Sequence, residues 1–136
     1  MPIPHELRAE LESLIEESLM PVLANCYSYR FSRQDDTIEL LVKEKEDSPS
    51  SRLIVRLFFP AGSPQVHIPN FQFPDEWRGS RLGLRMVRGL FELCENYQCP
   101  LFFTNMTESF FRYMLSHGAA CIDEDTVEIL PETRLI

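Results

Sequence analysis

Apolar residues recur at helical spacing near the start of the chain. Over residues 4–20, leucine and isoleucine return every three or four positions, and glutamates occupy many of the positions between them. This period is typical of an amphipathic helix with one buried face. Pro21 follows, and we expect it to end the helix because proline has no amide proton and clashes with the preceding turn.

The middle of the chain changes to short segments rich in β-branched and aromatic residues. Turn-forming residues separate these segments, so each predicts a strand. The predicted strands cover residues 25–32, 37–44, 52–59 and 66–73. The last of them contains Pro69, which cannot donate to a neighbouring strand, and therefore predicts a bulge or a splayed strand.

The second half of the chain alternates helical and extended patterns. The predicted elements are a helix at 81–97, an apolar strand at 101–104, a helix from its N-cap Thr107 to His117, and a closing hairpin of 120–123 with 126–130. The order of elements predicts one domain, residues 1–136, of mixed α/β class.

Composition narrows the class of protein. A chain of 136 residues, 44% of them hydrophobic, is long enough for one buried core. No apolar run approaches membrane-spanning length, and the first residues lack the pattern of a signal peptide, so we expect a cytoplasmic protein. The net charge of −8 argues against nucleic-acid binding. Four cysteines without zinc-type spacing predict reduced, mostly buried thiols and no metal site.

One segment departs from this acidic composition. No carboxylate occurs in residues 77–91, where four arginines lie at the start of the predicted second helix. They are Arg78, Arg81, Arg85 and Arg88. Cations at a helix N-terminus oppose the helix dipole, whereas an anionic ligand there would be favoured by the dipole, the free amides and the guanidinium groups. The segment therefore indicates an anion site. The alternative is that the arginines are solvated or paired, Arg88 with Glu92 for example.

This segment resembles the acyl-CoA-binding segment of the GNAT acetyltransferase superfamily. The resemblance is carried by residues 71–87, in which a splayed strand runs into Arg78-Gly79-Ser80-Arg81-Leu82-Gly83 and then a helix. It implies a GNAT-like fold in which the amides of Gly79 to Gly83 hold the pyrophosphate of acetyl-CoA. It also implies that the backbone from Phe71 to Phe73 pairs with the pantetheine arm, and that Asn105 contacts the cofactor.

The resemblance also implies candidate catalytic residues. His67 occupies the position at which some family members carry a general-base glutamate. Tyr113 lies one residue before the usual position of the family's acid, which is Met114 here. Arg81 replaces the middle glycine of the family's loop, and helical dihedrals would accommodate its side chain there. A structural role for His67 and core packing for Tyr113 are the alternatives.

The resemblance therefore predicts an acyl-CoA-binding domain that transfers an acetyl group to an amine of a small molecule or a protein. The alternatives are a catalytically inactive CoA-sensing or protein-interaction module, and a protein-binding domain without a small ligand. The ten phenylalanines exceed what ligand stacking requires. Most are expected in the core, and the remainder are compatible with an acyl pocket or a homodimer interface.

Overall fold

The computed structural model describes residues 3–77 and 81–135 of the chain. Within them the elements are α1 (His5–Leu23), β1 (Ser28–Arg33), β2 (Thr37–Lys43), β3 (Arg52–Phe58), β4 (Val66–Phe71), a 3-10 turn (Asp75–Trp77), α2 (Leu82–Asn96), β5 (Leu101–Phe103), α3 (Glu108–Ser116), β6 (Ala120–Asp123) and β7 (Thr126–Ile129). None of these helices is both long and apolar enough to cross a membrane.

The described strands form one mixed sheet in the order β1-β2-β3-β4-β5-β7-β6. Among the described strands, only β4 and β5 are paired in parallel, and α2 connects them as a crossover. The predicted mixed α/β class is confirmed. Thr107 caps α3 as predicted, since its side chain accepts the Phe110 amide.

The prediction that Pro21 ends the first helix is wrong, because α1 continues to Leu23. Pro21 lies in the last turn, where its missing amide removes one helix hydrogen bond. The Ala24 amide still donates to the Met20 carbonyl at 3.0 Å. The extra turn adds Leu23 to the buried stripe of the helix.

All three helices pack on the side of the sheet that carries Ile38, Leu40 and Val42, which we call the helix face. Those three side chains are buried and alternate along β2. Helix α1 is tied to this face by Tyr29, whose hydroxyl donates to Glu16 at 2.6 Å. The other two helices reach the face through contacts described below. The opposite face carries polar residues, among them a hydrogen-bonded network of Glu39, Arg56 and Asn70.

Candidate functional site

Strands β4 and β5 part after a short parallel pairing. Three residue pairs join them, and the last hydrogen bond runs from the Thr104 amide to the Ile68 carbonyl at 3.2 Å. The register between β3 and β4 shifts beside Pro69, so the predicted bulge is confirmed. Asn105, at φ +53°, turns the chain away after β5, in a conformation that asparagine tolerates.

A cleft of about 710 Å³ opens where the two strands part, and we call it the β4–β5 cleft. Phe71 and Phe73 line it from the β4 side, and Asn105 lines it from the loop after β5. Phe110 and Tyr113 line it from α3. Four of the residues that the sequence predicted for a cofactor or catalytic site therefore meet in this cleft.

The backbone of β4 directs hydrogen-bonding groups toward this cleft. The Gln72 amide donates to the Ile54 carbonyl of β3 at 2.8 Å. Because successive residues of a strand point their polar groups to alternate sides, the amide and carbonyl of Phe71 point away from β3, toward the cleft. An extended ligand with amide groups could pair with them as an added strand does.

The first turn of α2 lies directly behind the same two aromatic rings. A Cβ on Gly83 would stand 2.8 Å from Phe71 Cζ and 3.1 Å from Phe73 Cε2. Leu82, the first residue of α2, is half-buried beside the core. The free amides of a helix N-terminus favour an anion, and this N-terminus adjoins the wall of the β4–β5 cleft.

Arg81 precedes the helix in a left-handed conformation, with φ +62° and ψ +16°. The helical dihedrals that would accommodate its side chain are therefore not found. An arginine in this region carries strain of about 1 kcal/mol, which a glycine would not. The residues Arg78, Gly79 and Ser80, which the sequence predicted as cofactor ligands, lie outside the described residues.

The other arginines of this corner are exposed. Within residues 3–77 and 81–135, no ion pair is found for Arg81, Arg85 or Arg88. The alternative pairing of Arg88 with Glu92 is thus not formed. The positive charge at this end of α2 is left without an anionic partner among the described side chains.

His67 lies away from the β4–β5 cleft. It stands between the buried residues Val66 and Ile68, so alternation directs its side chain to the opposite face of the sheet. There its ring packs against Phe58 and Phe102, with centroids 6.0 and 5.0 Å away. Its Nε2 is 3.0 Å from Gln65 Oε1. Burial lowers the pKa of His67. The two predicted catalytic residues, His67 and Tyr113, are therefore not brought together.

Tyr113 is 39% exposed at the cleft and has a neighbour that the sequence analysis missed. Its ring stacks on His117 with centroids 4.1 Å apart. His117 Nδ1 lies 2.8 Å from the Tyr113 carbonyl oxygen and 3.1 Å from the Ser116 hydroxyl, so both are within hydrogen-bonding distance. The spacing of four residues on a helix is the signal that could have indicated this pair.

The cysteines do not provide a nucleophile for the cleft. Cys94 and Cys99 are buried, Cys26 is half-buried and Cys121 is exposed, so burial holds for two of the four rather than for most. Burial raises the pKa of the Cys94 thiol to about 12, which leaves it protonated and unreactive at neutral pH. In the described part of the chain, no group of three or more potential metal ligands is found.

The structure thus places Phe71, Phe73, Asn105 and Tyr113 in one cleft beside the N-terminus of α2, with His67 outside it. Arg52 also lines the cleft, from β3, and no sequence pattern pointed to it because strand pairing alone brings it there. Comparison of the chain with protein-family models, curated proteins and solved structures finds no significant match.

Proposed function

We propose that the protein binds an acyl-CoA in the β4–β5 cleft and transfers its acyl group, acetyl in the simplest case, to an amine. One observation carries this proposal: two parallel strands part directly beside the first turn of a helix whose arginines have no ion pair among the described residues. A GNAT-like fold is part of the proposal. The described elements from β2 to β7 follow the order that the resemblance implies.

The proposed binding mode uses groups on both sides of the cleft. The outward-facing amide and carbonyl of Phe71 bind the amide groups of the pantetheine arm. The N-terminus of α2 and the arginines around it bind the pyrophosphate, because the dipole, the free amides and the guanidinium charge all act in the same direction. Arg85 and Arg88 lie about one and two turns further along α2, and their positive charge would favour the adenosine phosphate of CoA.

The proposed reaction needs few protein groups. The amine nitrogen attacks the thioester carbonyl carbon, a carbon–nitrogen bond forms, and the carbon–sulfur bond breaks. Among the described residues that line the cleft there is no carboxylate or imidazole. The amine therefore reacts as the free base and loses its second proton to water. The Tyr113 hydroxyl donates a proton to the departing thiolate and recovers one from water.

A second candidate function, a catalytically inactive CoA-binding module, is favoured by the position of His67. The residue that the family resemblance suggested as the base lies on the opposite face of the sheet, packed between Phe58 and Phe102. Both candidates share the same ligand and the same cleft. The two candidates differ only in whether the bound acyl group is transferred to an amine.

Titration calorimetry with CoA and acetyl-CoA tests binding, and thiol release across a panel of amines tests turnover. We expect Arg85→Glu to weaken CoA binding about tenfold or more, since it reverses a charge beside the helix N-terminus. Arg30→Glu is the matched control, because Arg30 is equally exposed but lies on β1 at the edge of the sheet. Absence of CoA binding overturns the proposal. Binding without thiol release above hydrolysis favours the inactive module.

A further inference from the structure

A row of polar side chains crosses the sheet on the face opposite the helices and ends at the β4–β5 cleft. Glu39 of β2 is paired directly with Arg56 of β3, and Arg56 is paired directly with Asn70 of β4. The Arg56 guanidinium donates through Nε to Glu39 Oε2 and through Nη1 to Asn70 Oδ1, the latter at 2.9 Å. Of these three residues, Asn70 is the one that lines the cleft. The row therefore holds in place a side chain that a ligand in the cleft can contact.

The bond to Arg56 determines which end of the Asn70 amide is turned toward the cleft. A guanidinium group only donates, so the atom that accepts from it must be the amide oxygen. Arg56 lies on the β3 side of Asn70, whereas the cleft lies on the other side of β4, where β5 parts from it. The NH2 group diverges from the oxygen and is therefore directed toward the cleft. Within residues 3–77 and 81–135, no acceptor is found for Nδ2, so Asn70 presents a donor to a bound ligand.

The binding mode proposed above brings the reactive end of the cofactor next to Asn70. The N-terminus of α2 adjoins Phe71 and Phe73, so the phosphates lie at that end of the cleft. The pantetheine amides pair with Phe71, and the thioester follows them toward the point where the strands part. That point is the hydrogen bond from the Thr104 amide to the Ile68 carbonyl. Asn70 lies between Phe71 and Ile68 on β4, and the thioester therefore comes beside it.

We infer that Asn70 is a catalytic residue that donates a hydrogen bond from Nδ2 to the thioester carbonyl oxygen of the bound acyl-CoA. This inference rests on the proposed function. When the amine nitrogen bonds to the carbonyl carbon, an electron pair of the carbonyl moves to its oxygen, and Nδ2 stabilises this oxyanion. The carbonyl then re-forms as the carbon–sulfur bond breaks, and the thiolate takes its proton from Tyr113. Arg56 and Glu39 are positioning residues, because they hold the amide in this orientation.

Two variants separate this role from a purely structural one. Asn70→Asp keeps an acceptor for Arg56, and therefore the bond between the strands, but removes the donor. Asn70→Ala removes the donor without adding a charge. Ser32→Ala is the matched control, because Ser32 is directly opposite Glu39 at the other end of the row and does not line the cleft. In denaturant unfolding, Asn70→Asp should be at least as stable as the unmodified protein.

Infrared difference spectra of the full chain with acetyl-CoA labelled at the carbonyl carbon measure the hydrogen bond directly. In the unmodified protein and in Ser32→Ala, the carbonyl stretch of bound acetyl-CoA should lie at a lower frequency than in free acetyl-CoA. Both Asn70 variants should lose most of this shift. Where an amine supports thiol release, both should also lower kcat by about a hundredfold. Asn70→Ala should leave the affinity for CoA unchanged, because CoA has no thioester carbonyl.

Each outcome distinguishes the inference from the proposed function. A carbonyl frequency that is the same in the unmodified protein and in both Asn70 variants overturns the inference and leaves the proposed function intact. Absence of CoA binding overturns the proposed function and the inference with it. If acetyl-CoA binds but no amine supports thiol release, the infrared shift still decides whether Asn70 donates to the carbonyl oxygen.

Discussion

Gly83 and Phe71 are in close contact, so that a Cβ on the glycine would stand 2.8 Å from the tip of the ring. The contact joins the first turn of α2 to the wall of the β4–β5 cleft. The Phe71 ring also meets Phe73, Phe103 and Phe110, so the cleft is the direction in which it has room to move. The absence of a side chain at position 83 therefore sets how closely the helix N-terminus approaches the cleft.

Gly83→Ala is expected to push the Phe71 ring into the cleft and weaken CoA binding about fivefold or more. Its effect on the free energy of unfolding should be small, because alanine gains about 1 kcal/mol of helix propensity that offsets the crowding. Gly89→Ala is the control, since its Cβ would crowd Leu14 of α1 at 2.9 Å, away from the cleft. Calorimetry and denaturant unfolding check both variants. Equal effects of the two on CoA affinity would contradict the proposed role of Gly83.

Arg81→Gly is expected to raise the free energy of unfolding by about 1 kcal/mol and the melting temperature by roughly 3 °C, because glycine adopts a positive φ without strain. The same variant should weaken CoA binding, since it removes a cation beside the helix N-terminus. Gln98→Gly provides the control: Gln98 has φ +56° but lies at the far end of α2. It should stabilise to a similar extent with no change in CoA affinity. No gain in stability from either variant would contradict the strain assigned here.

His67 makes stability depend on pH. Burial lowers its pKa from the ordinary value of 6.5, so the unfolded chain takes up a proton more readily than the folded one. The neutral His67 therefore contributes fully to the free energy of unfolding above pH 6.5. This contribution is lost as the pH falls from 6.5 toward the lower pKa that His67 has in the folded protein. Denaturant unfolding between pH 7.5 and about pH 5 should show the loss. His67→Gln should flatten it, whereas His5→Gln, at an exposed position, should not.

The four thiols should differ in their reaction with iodoacetamide. Cys121 is exposed and is expected to react first in the folded protein. Cys94 is buried with a pKa of about 12 and should react only after unfolding in urea. Mass spectrometry of tryptic peptides over time checks the order, and Cys121→Ser should remove the first adduct. Labelling of Cys94 in the folded protein at its unfolded rate would contradict the burial described.

Hydrophobic periodicity, β-branched and aromatic content and turn residues together predicted each of the three helices and seven strands of the described chain, because all of them are local features of the sequence. Pro69 and Thr107 indicated a bulge and a helix cap for equally local reasons. The extent of α1 beyond Pro21 was not predictable this way. The packing of Leu23 in the core supports that last turn more strongly than the proline opposes it.

The same distinction between local sequence features and tertiary packing applies to the candidate site. The amino-acid sequence alone indicated most of the candidate residues, because the arginine-rich segment and the aromatic residues are local features of composition. Only the tertiary structure decided which of them meet. Strand register directs Phe71 to the cleft and His67 to the other face, and helix packing places Phe110 and Tyr113 opposite β4. Register and packing depend on contacts between distant parts of the chain, and a shift of one residue would exchange the two faces.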